Sequence, residues 1–136
     1  MRSIELESRL PLIVRSTEID INGHVNNAKY MEYLEWGRED LYEQANLPYD
    51  VLFAEGVVTM TVNINLNYRK EAMQNDCLTV ITRPGLLGRT SFTLEQTIIR
   101  EKDDTLIADA SVTLVTVGHE TRRGVPVPDL LRAIFI

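Results

Sequence analysis

Residues 20 to 30, DINGHVNNAKY, hold an acid, an Asn-Gly pair, a histidine and two adjacent asparagines directly ahead of a strongly periodic apolar stretch. A turn followed by a helix cap explains part of this. Asn22-Gly23 suits backbone positions with positive φ, and Asn26 or Asn27 can accept from the orphan N–H groups of a helix start. That reading does not require Asp20 or His24. A carboxylate can act as nucleophile or base, and an imidazole can orient water or donate a hydrogen bond. The first N–H groups of a helix, at the positive end of its dipole, offer an oxyanion hole to whatever lies before them. Asp20 and His24 are also possible metal ligands, but catalytic zinc needs three protein ligands and closed sites need four. The other histidine, His119, lies far along the chain in VGHETRRG without a ligand spacing, so no metal and no cofactor are expected.

The rest of the chain bounds what these groups serve. With 136 residues, 44% hydrophobic and 25% charged, the composition fits one globular domain, 1–136, with a modest core. A net charge of −6 and a pI near 4.9 argue against nucleic acid or an anionic membrane surface as partner, because a phosphate backbone needs concentrated Lys and Arg. Any anionic ligand has to be met by local basic groups. Cys77 is the one cysteine, which excludes an internal disulfide and suits a reducing compartment. The opening MRSIELESRL lacks the apolar run of a signal peptide and no stretch approaches a membrane span, so the expected location is the cytoplasm.

Three hydrophobic periods organise the chain. Residues 5 to 16 read as extended, with Leu6, Leu10, Leu12 and Val14 on one parity and Pro11 marking an edge or bulge. From Ala28 to about Asn46 the period is helical. Tyr30, Leu34, Leu41 and Ala45 share a face with Met31 and Tyr42 beside them, and Lys29, Glu32, Asp40 and Glu43 lie opposite. Arg38 falls within the apolar arc, where an i, i+3 ion pair with Glu35 is expected to satisfy it. After a loop through Pro48, VVTMTVNINLNY alternates, with Val58, Met60, Val62, Ile64, Leu66 and Tyr68 on one side and Thr59, Thr61, Asn63, Asn65 and Asn67 on the other. Strand-like segments follow at roughly 77 to 83, 90 to 100 and 106 to 117, separated by Pro84-Gly85, Gly88 and the polar run Glu101 to Asp104. Short connections imply an antiparallel meander, and one long amphipathic helix is best covered by a sheet curled around it, an α+β fold.

DINGHVNNAKYMEYLE with the following Arg38, and then NINLNYRKEA, resembles the 4-hydroxybenzoyl-CoA thioesterase family of hotdog-fold acyl-CoA thioesterases, closest to its long-chain branch. The resemblance runs from about Val14 to Val117 and leaves the residues after about Gly118 outside it. It implies a long central helix wrapped by an antiparallel sheet of about five strands, and hydrolysis of a medium- or long-chain fatty acyl-CoA. Asp20 matches the catalytic aspartate, with Ile19 and Ile21 expected to desolvate it. The backbone N–H of Asn27 matches the oxyanion donor; part of the family has tyrosine there, so only the backbone role carries over. His24, Val25 and Asn26 complete the GHVNN pattern. Tyr30, Leu34, Val58 and Met60 are expected to line an acyl tunnel. The coenzyme A phosphates would be met by Arg69-Lys70, by Arg89 near Ser91, or by Arg122-Arg123. A homodimer or homotetramer is implied, with Thr59 or Thr61 of the facing subunit closing over Asp20. The other readings are a thioesterase for acyl carrier protein or aromatic acyl-CoA, and a non-catalytic acyl-CoA-binding module.

Overall fold

The long helix starts where the asparagines predict. In the computed structural model, which describes residues 6–135, α1 spans Asn27–Gln44. Asn26 is its N-cap, with extended backbone and a side chain that accepts from the Ala28 N–H at 2.9 Å. The helix stops before Asn46, which takes left-handed φ, and Pro48. Its buried face is Tyr30, Tyr33, Leu34, Gly37, Arg38 and Leu41. This arc is rotated from the expected one: Met31 is exposed, and Tyr33 and Gly37 take the place given to it. Gly37 lies closest to the sheet, where a Cβ would stand 2.6 Å from Val80 Cγ1 and 2.8 Å from Thr82 Oγ1.

The sheet has five antiparallel strands, β1 (Ser8–Ile13), β2 (Val57–Tyr68), β3 (Cys77–Leu87), β4 (Ser91–Arg100) and β5 (Thr105–Gly118), in the order β1-β3-β4-β5-β2. Helix α1 packs on β1, β3 and β4. Pro11 sits on the edge strand β1, where a missing N–H costs no ladder bond; residue 5, the expected start of this strand, lies outside the described residues. The meander holds for β3, β4 and β5 alone, since β1 and β2 flank it as edges. Pro84-Gly85 is not a turn. β3 continues through it to Leu87, with a register shift between Pro84 and Leu87 absorbing the irregularity.

The alternation of β2 is also broken. Its register with β5 shifts between Thr61 and Asn63, so Val62 is an extra residue and the two halves of the strand face opposite ways. Thr59 and Thr61 stand opposite Thr116 and Leu114, on the helix side. Beyond the bulge the helix side is taken by Ile64, Leu66 and Tyr68, opposite Val112, Ala110 and Ala108. The single polar face expected from Thr59 to Asn67 is therefore split, and Met60 and Val62 are exposed.

Two α-helices were not foreseen. The loop through Pro48 contains α2, Tyr49–Ala54, with Pro48 at its N-cap, and a short α3, Asp129–Arg132, follows Pro128. The segment after Gly118 is part of the core: Val127 and Leu131 are buried with Leu41, Leu47, Leu52, Phe92, Leu94, Val112 and Leu114. Arg132 holds this segment down by donating to the carbonyls of Val127, Gly88 and Arg89.

Candidate functional site

The loop before α1 is fixed by its backbone. Asp20 N–H donates to His24 O and Gly23 N–H to Asp20 O, both at 3.0 Å, while Ile19 bridges to Val25. Gly23 has φ 84, the left-handed value such a turn needs, and Asn22 does not share it. Val25 N–H donates to Ala72 O and Asn26 N–H to Glu18 O, each at 2.9 Å, tying the loop to its surroundings. Glu18 is itself held by the Tyr33 hydroxyl at 2.8 Å. Burial, then this hydrogen bond, keeps the Tyr33 phenol protonated far above its usual range.

Three groups are left with capacity at the end of this scaffold. The Asn27 N–H, first in the helix, has no hydrogen-bond partner among the described residues, because the Asn26 side chain serves Ala28 instead. Asp20 is half-buried and accepts from the Asn22 N–H at 2.9 Å through Oδ1. Its Oδ2 takes no hydrogen bond among the described residues. The turn role and a free carboxylate oxygen thus coexist in one side chain. His24 lies with Nδ1 3.5 Å from Val25 O. Ile21 is fully exposed and shields nothing in this chain, so the expected desolvation of Asp20 by both isoleucines fails; only Ile19 packs on the core.

A groove of about 240 Å³ opens beside the helix end, lined by His24, Val25, Asn27, Tyr30, Tyr68, Arg69, Lys70 and Glu71. Tyr30 accepts from the Ala72 N–H at 3.2 Å, and Tyr68 donates to Asn27 O at 3.3 Å, with the two rings edge-on at 5.4 Å. Burial raises the Tyr30 pKa, so its hydroxyl stays neutral. Arg69 is committed: its Nε is 2.7 Å from Asp109 Oδ2, and this hydrogen bond raises the arginine's pKa and lowers the aspartate's. Lys70 forms no ion pair among the described residues and is the freer cation at the groove. Tyr68 and Glu71 were not foreseen as lining residues; the sequence placed Tyr68 only on an apolar strand face.

The remaining candidates lie elsewhere in the chain. Val58 and Thr59 line a second cavity, at the C-terminal half of α1. Met60 and Thr61 are exposed on the edge strand β2. Ser91 pairs with Val115, which also pairs with Met60, whereas Tyr68 at the groove pairs with Ala108. At 3.3 Å per residue this puts Ser91 and Arg89 about 23 Å from the groove along the sheet. Leu34 is fully buried in the core and lines neither cavity. The expected Glu35–Arg38 ion pair does not form. Arg38 Nη1 donates to Gln96 Oε1 at 3.1 Å, and Gln96 Nε2 donates to Leu34 O and Thr82 Oγ1 at 2.8 and 2.9 Å. A neutral partner facing the helix from β4 leaves Glu35 free to point outward.

Residues 14–135 match the sequence profile of the thioesterase-like superfamily. The match takes in the segment after Gly118 that the sequence resemblance had left out. The chain is similar to the long-chain acyl-CoA thioesterase FadM of Escherichia coli (strain K12), with 34% identity over 119 residues covering 88% of this chain and 89% of that protein. Among solved structures, YbaW, a probable thioesterase from Escherichia coli, superposes with a TM-score of 0.81 at 30% identity, covering 93% of this chain and 95% of its own. Slr0204, a 1,4-dihydroxy-2-naphthoyl-CoA thioesterase from Synechocystis, shares the fold with a TM-score of 0.87 over 95% of both chains at 16% identity.

Proposed function

Because the chain belongs to the thioesterase-like superfamily and is a hotdog-fold thioester hydrolase, we propose that it hydrolyses medium- or long-chain fatty acyl-CoA to free acid and coenzyme A, with its chemistry at the start of α1. The observation that carries this is the unpartnered Asn27 N–H at the groove that His24 also lines, with Asp20 tied to His24 across the turn ahead of it. The thioester carbonyl oxygen takes the Asn27 N–H, and the helix dipole favours the negative charge that grows on it. Asp20 supplies its free oxygen as nucleophile, or as base to a water, and His24 orients that water or the carbonyl. The departing thiolate, with a thiol pKa near 8.5, needs no strong acid. Lys70, helped by Arg69, meets the coenzyme A phosphates at the groove. No metal is assigned to the reaction.

The whole chain, 1–136, is read as one thioesterase domain acting in the cytoplasm. No helix among the described residues is long and apolar enough to cross a membrane. It works as a dimer or a dimer of dimers. β2 is an unpaired edge that exposes Met60 and Val62, and pairing with a second copy would satisfy its backbone and cover them. Antiparallel two-fold pairing would lay Val58 to Thr61 of one copy against the Tyr68 end of the other, beside the second copy's groove. The edge-on Tyr30 and Tyr68 favour a second reading, an aromatic acyl group held at the groove. Release of free thiol from acyl-CoAs of graded chain length and from aryl-CoAs tests both. No release from any member sinks the hydrolase reading.

A further inference from the structure

The second cavity has a property that packing does not explain. About 370 Å³ in volume, it lies between the C-terminal half of α1, α2 and the start of β2. Leu47, Leu52 and Val58 give it apolar walls, and Tyr42 faces it from α1. The Tyr42 hydroxyl is buried and has no hydrogen-bond partner; Thr59 is near but not in bonding geometry. It is the one such buried side-chain atom among the described residues. Leaving a buried hydroxyl unsatisfied costs roughly 1–3 kcal/mol, so native structures rarely keep one without a use. Burial pushes its pKa up to about 12, so it remains a neutral phenol able to donate and to accept.

Glu35, Glu39 and Glu43 stand one helical turn apart along the same cavity. Among the described residues none of them forms an ion pair. A phosphate or a carboxylate entering here meets three carboxylates, and the buried Arg38 near Tyr42 already donates to Gln96, so the group that reaches Tyr42 is uncharged. Thr59 and Tyr49 add hydroxyls to the lining, but the Tyr42 hydroxyl is the buried one without a partner, and apolar walls with such a group are how a pocket reads one oxygen on an otherwise hydrocarbon ligand.

We propose that this cavity receives an oxygen-bearing end of the acyl group, a hydroxyl or a ketone, with the Tyr42 hydroxyl as its hydrogen-bonding anchor. This rests on the thioesterase reading and narrows its substrate class. Tyr42 here is a specificity residue and takes no part in the bond-breaking step. Within one chain Asn27 and Tyr42 are about 22 Å apart along α1, at 1.5 Å of rise per residue. A thioester at the chain's own helix start reaches the cavity only with a long acyl chain. One held by a second copy paired through β2 reaches it with a short one.

The test uses matched acyl-CoAs of equal length with and without a terminal hydroxyl, from octanoyl to hexadecanoyl, together with benzoyl- and hydroxybenzoyl-CoA. Turnover is measured as kcat/KM, and binding as the melting shift each compound gives to the Asp20→Asn protein. The expected result is a preference of about tenfold or more for the hydroxylated member. Tyr42→Phe should abolish that preference by lowering kcat/KM for the hydroxylated member to that of its plain partner, and leave the melting temperature equal or higher, because it removes an unsatisfied group. The length at which the preference appears separates the two routes to the cavity. A binding preference without turnover would sink the hydrolase reading and leave this one standing. Equal values within pairs, a preference that survives Tyr42→Phe, or no melting shift from any compound overturns the proposal.

Discussion

Gly37→Ala is the sharpest test of how α1 is seated. The added Cβ would stand 2.6 Å from Val80 Cγ1, 2.8 Å from Thr82 Oγ1 and 3.0 Å from Gln96 Nε2. Comfortable carbon contacts are about 3.5–4.0 Å, so the overlap with Val80 is about 1 Å. None of the three atoms is the end of a flexible side chain on the surface: Val80, Thr82 and Gln96 are all buried. The helix must therefore back away from the sheet. Doing so stretches the bond of Gln96 to Leu34 O and the bond of Arg38 to Gln96. Overpacking of this kind costs about 1–3 kcal/mol and each loosened buried hydrogen bond about 1 kcal/mol, against a gain of about 1 kcal/mol from alanine's helix propensity. The net expectation is a loss of about 3 kcal/mol, or roughly 10 °C in melting temperature. Because Asn27 rides on the same helix, kcat should fall together with stability. Scanning calorimetry and thiol release on one preparation read both. A variant as stable as the parent, or more so, would refute the close approach of helix and sheet.

Asp20→Asn should lower kcat by about 10²-fold or more with little change in melting temperature, since an amide oxygen can still accept from the Asn22 N–H; near-parental turnover would show the chemistry lies elsewhere. Turnover should survive EDTA, and a loss restored by one divalent ion would overturn the mechanism proposed. Dilution should lower melting temperature and specific activity together as β2 loses its partner edge. A light-scattering mass of one chain at full turnover would rule out a shared site.

The helix start was legible because its signal is local: an asparagine that can cap, a glycine that tolerates positive φ, and an apolar period that begins at once. What stayed hidden depends on contacts between distant segments. The alternation of β2 gave no hint that Val62 is supernumerary, because an extra residue shows only against the register of β5. Arg38 suggested the ion partner available within its own helix, while the group that answers it, Gln96, lies on β4 and looks in sequence like an ordinary polar strand position. Tyr68 read as core, yet stands at the groove because the loop ahead of α1 folds down beside it. In the same way the cation at Arg69 was visible but its commitment to Asp109 was not.

The strand order carries a consequence for the lifetime of the site. β3, β4 and β5 join by short connections and can zip locally, whereas β1 must find β3 across the span from Ile13 to Cys77, and β2 must find β5 with two strands intervening. Closing such loops is entropically slow, so the flanking strands assemble late, and β1, which has no second copy paired to it, is also the first to detach in partial openings. The reactive loop hangs from the end of β1, and Tyr68 from the end of β2. Amides of Ile19 to Asn27 should accordingly exchange with solvent deuterium far sooner than those of Leu94 to Ile98 in the same sheet. Binding at the groove would slow that exchange by bridging the two late-arriving edges.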